Sequence, residues 1–165
     1  MFGKKIHVLY NAARKSKSVS FPRVSPNGKY LVFTRQQFGN FSIWHKDADL
    51  YILILRSGKV FPMKIANSKD VESYHSWSHN SRWLVFSSRR LDGLYTRLFF
   101  AYIDKIGKVY KPFLLPQKNP GKYYQDLMYS YNIPEFVTGK VKLDAVEAAT
   151  VMRNSSGINV RFCKR

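Results

Sequence analysis

Ser20-Phe21-Pro22-Arg23-Val24-Ser25-Pro26-Asn27-Gly28-Lys29-Tyr30-Leu31-Val32-Phe33-Thr34 returns, 53 residues later and without a gap, as Ser73-Tyr74-His75-Ser76-Trp77-Ser78-His79-Asn80-Ser81-Arg82-Trp83-Leu84-Val85-Phe86-Ser87. Six of the fifteen pairs are identical, and Phe21 with Tyr74, Lys29 with Arg82, Tyr30 with Trp83 and Thr34 with Ser87 keep their character. Self-similarity of this kind marks a repeat architecture. Farther along, Gly58-Lys59-Val60 matches Gly107-Lys108-Val109 at an offset of 49, which makes the second unit four residues shorter, in the loop before its third strand.

Each unit reads as four strands. In the first, a strand over Ser18 to Val24 meets the turn Ser25-Pro26-Asn27-Gly28, where Pro fixes φ and Asn and Gly tolerate a positive one. Tyr30 to Thr34 is apolar on both faces, as suits a central strand of a stacked sheet. A turn at Phe38-Gly39-Asn40 precedes a third strand, Leu50 to Leu55, and Ser57-Gly58 is a hairpin signal. The fourth strand, Val60 to Ile65, carries Pro62 and so belongs at an edge. The second unit repeats the plan with strands near Tyr74 to Trp77, Trp83 to Ser87, Arg97 to Ile103 and Val109 to Leu115, the last holding Pro112.

Four short antiparallel strands at a period of roughly 40–50 residues fit an all-β chain of two propeller-type blades, with a plain β-sandwich as the alternative. The expected organisation is an N-terminal extension over residues 1–17, one blade over 18–70, a second over 71–116, and a short mixed α/β tail over 117–165. In the tail, Pro120 to Tyr131 reads as a helix capped by Asn119, and Leu143 to Met152 as a weaker one. Asn154 to Gly157 reads as a turn and Ile158 to Phe162 as a strand.

At these residues the chain resembles a known family. Ser25-Pro26-Asn27-Gly28-Lys29-Tyr30-Leu31-Val32-Phe33 is similar to the Ser-Pro-Asp-Gly-Lys turn and apolar strand of TolB-like, WD-like propeller repeats, and Ser76 to Arg90 to their Ser-Trp-Ser-Pro-Asp-Gly-Lys form. Here Asn27 stands for the usual Asp, and His79 and Ser81 for the usual Pro and Gly. Phe38 to Tyr51, Leu114 to Gln117 and Tyr131 to Phe136 extend the likeness, which covers residues 8–140 and matches the C-terminal portion of long bacterial proteins of this class. The resemblance implies further blades upstream and a periplasmic or cell-envelope location for a full-length form. Two blades alone expose faces and strand edges that invite self-association or completion by partner chains.

Composition narrows the classes. Hydrophobic content of 45% and aromatic content of 16% supply a core,. No apolar run reaches the ~18–20 residues that span a bilayer. The stretch after Lys5 is too short for the apolar region of a signal peptide, so the chain as written reads as cytoplasmic. A lone cysteine, Cys163, forms neither an internal disulfide nor a Cys-based zinc site,. The net charge is +18, with 28 basic and 10 acidic residues. That points toward an anionic partner, such as nucleic acid, an acidic polymer or a membrane surface, although the basic residues are scattered.

Catalytic signatures are missing. There is no Gly-x-Ser-x-Gly elbow and no phosphate-cradling glycine loop. His75 and His79 lack the following Glu of a helical zinc site, Asp47, Asp49 and Asp92 lack calcium-loop spacing, and no cofactor or metal is expected. The favoured reading is a non-catalytic scaffold for a protein or peptide partner. The alternatives are a nucleic-acid or polyanion binder and a hydrolase or lyase using propeller loops. The candidate contact residues lie on two loops, Trp44, His45 and Asp47 on one and Arg89, Arg90, Asp92 and Tyr95 on the other, joined by Arg23, Arg35 and Arg97. They pair broad rings with guanidinium forks suited to carboxylate or phosphate.

Overall fold

The computed structural model describes residues 6–154. Among the described residues, eight strands form two separate four-stranded antiparallel sheets, each a meander in chain order and neither closed on itself. The first holds β1 (Lys17–Val24), β2 (Tyr30–Gln37), β3 (Asp49–Ile54) and β4 (Lys59–Pro62), and the second β5 (Glu72–Trp77), β6 (Trp83–Ser88), β7 (Arg97–Tyr102) and β8 (Phe113–Leu114). Two helices follow, α1 (Pro120–Asp126) and α2 (Ala145–Asn154). The class is all-β.

The sequence repeat is a repeat of hydrogen bonds. Ser25 Oγ donates to Asn27 Oδ1 at 2.8 Å and accepts from the Tyr30 amide at 3.0 Å, and Lys29 N donates to Asn27 Oδ1 at 3.0 Å. The same three contacts recur between Ser78, Asn80, Trp83 and Arg82 at 2.7, 2.9 and 3.0 Å. Both turns end on a left-handed residue, Gly28 at φ 68° and Ser81 at φ 58°. Serine is less at ease there than glycine, yet its hydroxyl accepts the Asn27 amide at 3.0 Å and ties one turn to the other. The first strand of each unit also slips register, between Ser20 and Arg23 and between Ser73 and Ser76. At each slip an aromatic residue takes a positive φ, Phe21 at 53° and Tyr74 at 49°. These equivalent rings meet edge to face at 4.8 Å.

The two sheets share one core. Tyr30, Val32, Leu50 and Ile52 of the first pack with Trp77, Leu84, Phe86, Phe99 and Ala101 of the second. In the repeat, Tyr30 and Val32 correspond to Trp83 and Val85, which point the other way from Leu84 and Phe86 on β6. The front of one sheet therefore lies on the back of the next: the units are stacked in the same sense and not mirrored. His75 on β5 donates through Nε2 to the Val32 carbonyl at 3.0 Å, and Trp77 Nε1 donates to the Arg23 carbonyl at 3.1 Å.

Both outer faces carry cover from the chain itself. Behind the first sheet, Leu31, Phe33, Tyr51 and Leu53 are buried with Tyr10, whose ring centre is 5.0 Å from that of Phe33. In front of the second, Phe136 meets Phe100 at 5.9 Å and the backbone of Tyr131 is bonded to Ser87 of β6 and to Thr96, just before β7. The bare faces expected from the sequence are thus partly clothed by the terminal segments.

Several boundaries differ from the sequence expectation. β4 stops at Pro62, because Met63 begins a turn in which the Ala66 amide donates to its carbonyl at 2.8 Å. β8 shrinks to Phe113–Leu114, since Pro112 offers no amide, and Val109 makes only an isolated bridge to Ile103,. α1 ends at Asp126 and not at Tyr131, with Leu127 extended. Its following carbonyls are claimed by Arg97. Asn154, expected to open a turn, is helical in α2, and the rest of that turn, the expected strand Ile158 to Phe162 and Cys163 lie outside the described residues.

Candidate functional site

Arg97 begins β7 and is almost wholly buried. Its Nη1 donates to the Tyr129 carbonyl at 2.7 Å and its Nη2 to the Leu127 carbonyl at 2.9 Å. The Tyr95 ring lies 5.0 Å from the guanidinium, and Asp92 stands 3.4 Å from Nη2. Asp92 also accepts from the Leu94 and Tyr95 amides, each at 2.8 Å, and so holds its own turn closed,. Next to Arg97, Thr96 donates its amide to Ser130 Oγ at 3.1 Å and its hydroxyl to Asn132 Oδ1 at 2.9 Å, and its carbonyl accepts from the Tyr131 amide at 3.1 Å. Ser87 donates to the Tyr131 carbonyl at 2.9 Å. Ser87, Thr96 and Arg97 form a corner that grips residues 127–132, an irregular segment with a bend at Tyr129, largely by its backbone. Bonds of this kind hold a peptide with little regard to its side chains.

Arg89 and Arg90, expected as loop residues facing a partner, each meet a carboxylate of the chain itself. Arg90 Nη2 meets Glu72 Oε1 at 2.9 Å, the Ala66 carbonyl accepts from the same nitrogen, and Arg90 Nε donates to Ser88 Oγ at 3.0 Å. Glu72 is fully buried and accepts from Ser68 Oγ at 2.6 Å and Ser88 Oγ at 2.8 Å. Burial pushes its carboxyl above the usual range, against the pull of Ser68 and Arg90. Arg89 lies 3.3 Å from Asp70. These pairs bolt the β4–β5 connection to the end of β6, and the Arg90 guanidinium is already engaged.

The remaining candidates scatter. Trp44 is exposed, with the Arg89 guanidinium 6.0 Å from its ring. His45 Nε2 is 3.0 Å from the Asn40 carbonyl, and Asp47 accepts from the Gln37 amide at 2.8 Å and lies 3.7 Å from Lys17. Arg35 stacks on Tyr51 at 3.8 Å and donates to the hydroxyls of Tyr51 and Tyr10, on the back of the first sheet. Arg23 reaches Glu135 of the tail at 3.2 Å. Of the ten, the structure brings Asp92, Tyr95 and Arg97 together around the tail and Trp44 onto Arg89.

Ser87 and Thr96 escaped the sequence reading. The repeat carried a signal for one of them: Thr34, the equivalent of Ser87, sits 3.4 Å from Ser73 Oγ of the neighbouring sheet, so this position meets whatever lies in front. Among the described residues no three His, Cys, Asp or Glu side chains are grouped to hold a metal ion, and no helix is long and apolar enough to cross a membrane. His75 is buried against Val32 while His79 is exposed, so the two do not share a site. Compared with known proteins, the chain matches no family model and none of the curated proteins.

Proposed function

We propose that the chain is a non-catalytic binding scaffold made of two propeller-type units of the TolB-like kind, and that it takes a protein or peptide partner by its backbone on the front of the second sheet. The same-sense stacking of the sheets supports the blade reading, since a propeller is a succession of such faces. The observation that carries the binding reading is the grip of Ser87, Thr96 and Arg97 on the backbone of residues 127–132. The tail is then the resident occupant, and a partner segment competes with it. A tethered segment has a high effective concentration, so competition favours partners that also cover Phe100 and Phe113. For a longer form, the family resemblance adds a periplasmic or cell-envelope location.

A fluorescein-labelled peptide with the sequence of residues 127–137 tests this by polarisation against the full chain. Phe136→Ala removes the ring on Phe100 and loosens the resident tail, so the variant binds the peptide several-fold tighter than the native chain. Ser87→Val in that background abolishes the gain while circular dichroism is unchanged. Absence of saturable binding in both native chain and Phe136→Ala overturns the reading.

A further inference from the structure

One end of the molecule is set apart by what it leaves in water. The β2–β3 and β6–β7 connections emerge side by side there, joined by the Trp44–Arg89 contact. They expose Phe38 at 85%, Phe41 at 74%, Trp44 at 73%, Leu94 at 73% and Leu91 at 52%. Soluble surfaces carry scattered apolar residues, but five large ones on two neighbouring loops need a partner. Phe38, Phe41 and Leu94 project with few protein neighbours, Trp44 faces the Arg89 guanidinium, and half-exposed Leu91 lies beside Leu114, Pro120 and Tyr124. A preformed protein interface packs its apolar residues into a contiguous patch. Projecting rings and leucines fit a soft apolar medium that closes around each one.

The charge around them agrees. β1 starts where β2 ends, with Lys17 paired to Gln37, so the turn before it brings Arg14 and Lys15 to this same end. Lys46 follows Trp44 in the chain and Lys69 neighbours the Asp70 that holds Arg89. Arg14, Lys15, Lys46 and Lys69 are exposed, and none has an ion pair among the described residues. The nearby acids Asp47, Asp70 and Asp92 are each matched by a cation, Lys17, Arg89 and Arg97. The end is therefore basic, on a chain of net charge +18.

We infer that this end docks on an anionic lipid surface, with Phe38, Phe41, Trp44, Leu91 and Leu94 dipping into the headgroup–acyl boundary and the four basic side chains meeting lipid phosphates. Buried apolar area and attraction to anionic lipid together set the strength of such interfacial binding. The peptide corner at Ser87 and Arg97 adjoins this end through the Asp92–Arg97 pair, but the lipid reading uses none of the side chains that hold residues 127–132, so the two readings fail separately.

The test is co-sedimentation of the full chain with vesicles of phosphatidylcholine alone and of phosphatidylcholine mixed with phosphatidylglycerol. The native chain pellets with the anionic vesicles and stays in solution with the neutral ones. Trp44 fluorescence shifts to the blue and is quenched by brominated acyl chains, while Trp77 is shielded in the core. Phe38→Ser with Leu94→Ser weakens partition at least about tenfold, the scale of apolar burial for two such side chains. Phe41→Asn, which suits the left-handed backbone at φ 54°, weakens it further without unfolding the chain. Lys15→Glu with Lys46→Glu also lowers binding. No binding to anionic vesicles overturns the inference. So does binding that salt abolishes and the apolar substitutions leave unchanged, which is adherence by net charge alone. Tighter binding to single-stranded DNA through the same rings overturns it too.

Discussion

Thr34 and Ser87 occupy the same place in the repeat, and their hydroxyls meet different things. Thr34 approaches Ser73 of the next sheet at 3.4 Å, whereas Ser87 holds the Tyr131 carbonyl of the tail. The units match where the chain is local: the serine–asparagine turn, the left-handed residue after it and the slipped first strand recur one for one. They part where each unit meets its neighbours. Glu72, His75 and Arg90 of the second unit correspond to Val19, Pro22 and Gln37 of the first. The second unit thus buries ionisable groups at the seam with the first, while the first presents apolar or neutral residues at the same places. A repeat conserves what its own turns require and leaves its contact surfaces free to specialise.

That contrast breaks most sharply at the buried pair. Arg90→Met leaves the Glu72 carboxyl buried beside Ser68 and Ser88 with no cation, and destabilises the fold by about 3 kcal/mol. Gln37→Met, the matching change in the first unit, alters stability by less than about 0.5 kcal/mol because Gln37 is exposed,. Urea unfolding of both variants checks this, and equal losses would erase the distinction between the units.

Acid sensitivity sharpens it next. Burial lowers the His75 imidazole to about 4 from its ordinary value of 6.5, although the hydrogen bond to Val32 pulls the other way. The unfolded chain therefore takes up a proton that the folded chain refuses. The contribution of neutral His75 is complete above pH 6.5 and is lost as the pH falls toward about 4, by an amount on the order of 3 kcal/mol. Unfolding free energy measured across that window falls in the native chain, and the fall is flatter in His75→Gln. Pro22 does not titrate, so no matching loss arises from the first unit's equivalent position.

The smallest effects come from the turns, where the units are most alike. Gly28→Ala puts a β-carbon on a left-handed residue and costs about 1 kcal/mol. Ser81→Gly relieves the same kind of strain but gives up the bond to the Asn27 amide, so thermal stability changes by less than about 0.5 kcal/mol. A loss above about 1 kcal/mol would place the inter-turn bond ahead of backbone strain.

Much of the sheet layout was legible because strand and turn chemistry is local. Ser25 to Gly28 announces a turn whatever lies beyond it, and Tyr30 to Phe33 alternates between two buried faces. Pro62 was rightly placed in an edge strand. The length of β8 was misjudged because the missing amide at Pro112 outweighs the apolar run around it. The candidate site was legible only in pieces. An arginine reads alike whether it faces water, as Arg23 does in part, or bridges to a buried carboxylate, as Arg90 does. The exposed Phe38, Phe41, Leu91 and Leu94 look like core residues in the sequence, since hydrophobicity records the tendency to leave water and not the availability of a neighbour.

The chain's own order of residues determined that two equivalent four-stranded units form, because hydrogen bonds in turns and alternation along strands are decided within a few neighbours. Tertiary structure alone decided that the units stack in the same sense, that residues 127–132 fill the corner at Ser87 and Arg97, and that Arg89 and Arg90 turn to carboxylates. Those outcomes depend on which surfaces meet across long separations in the chain, where packing and desolvation choose among partners that local chemistry leaves equivalent.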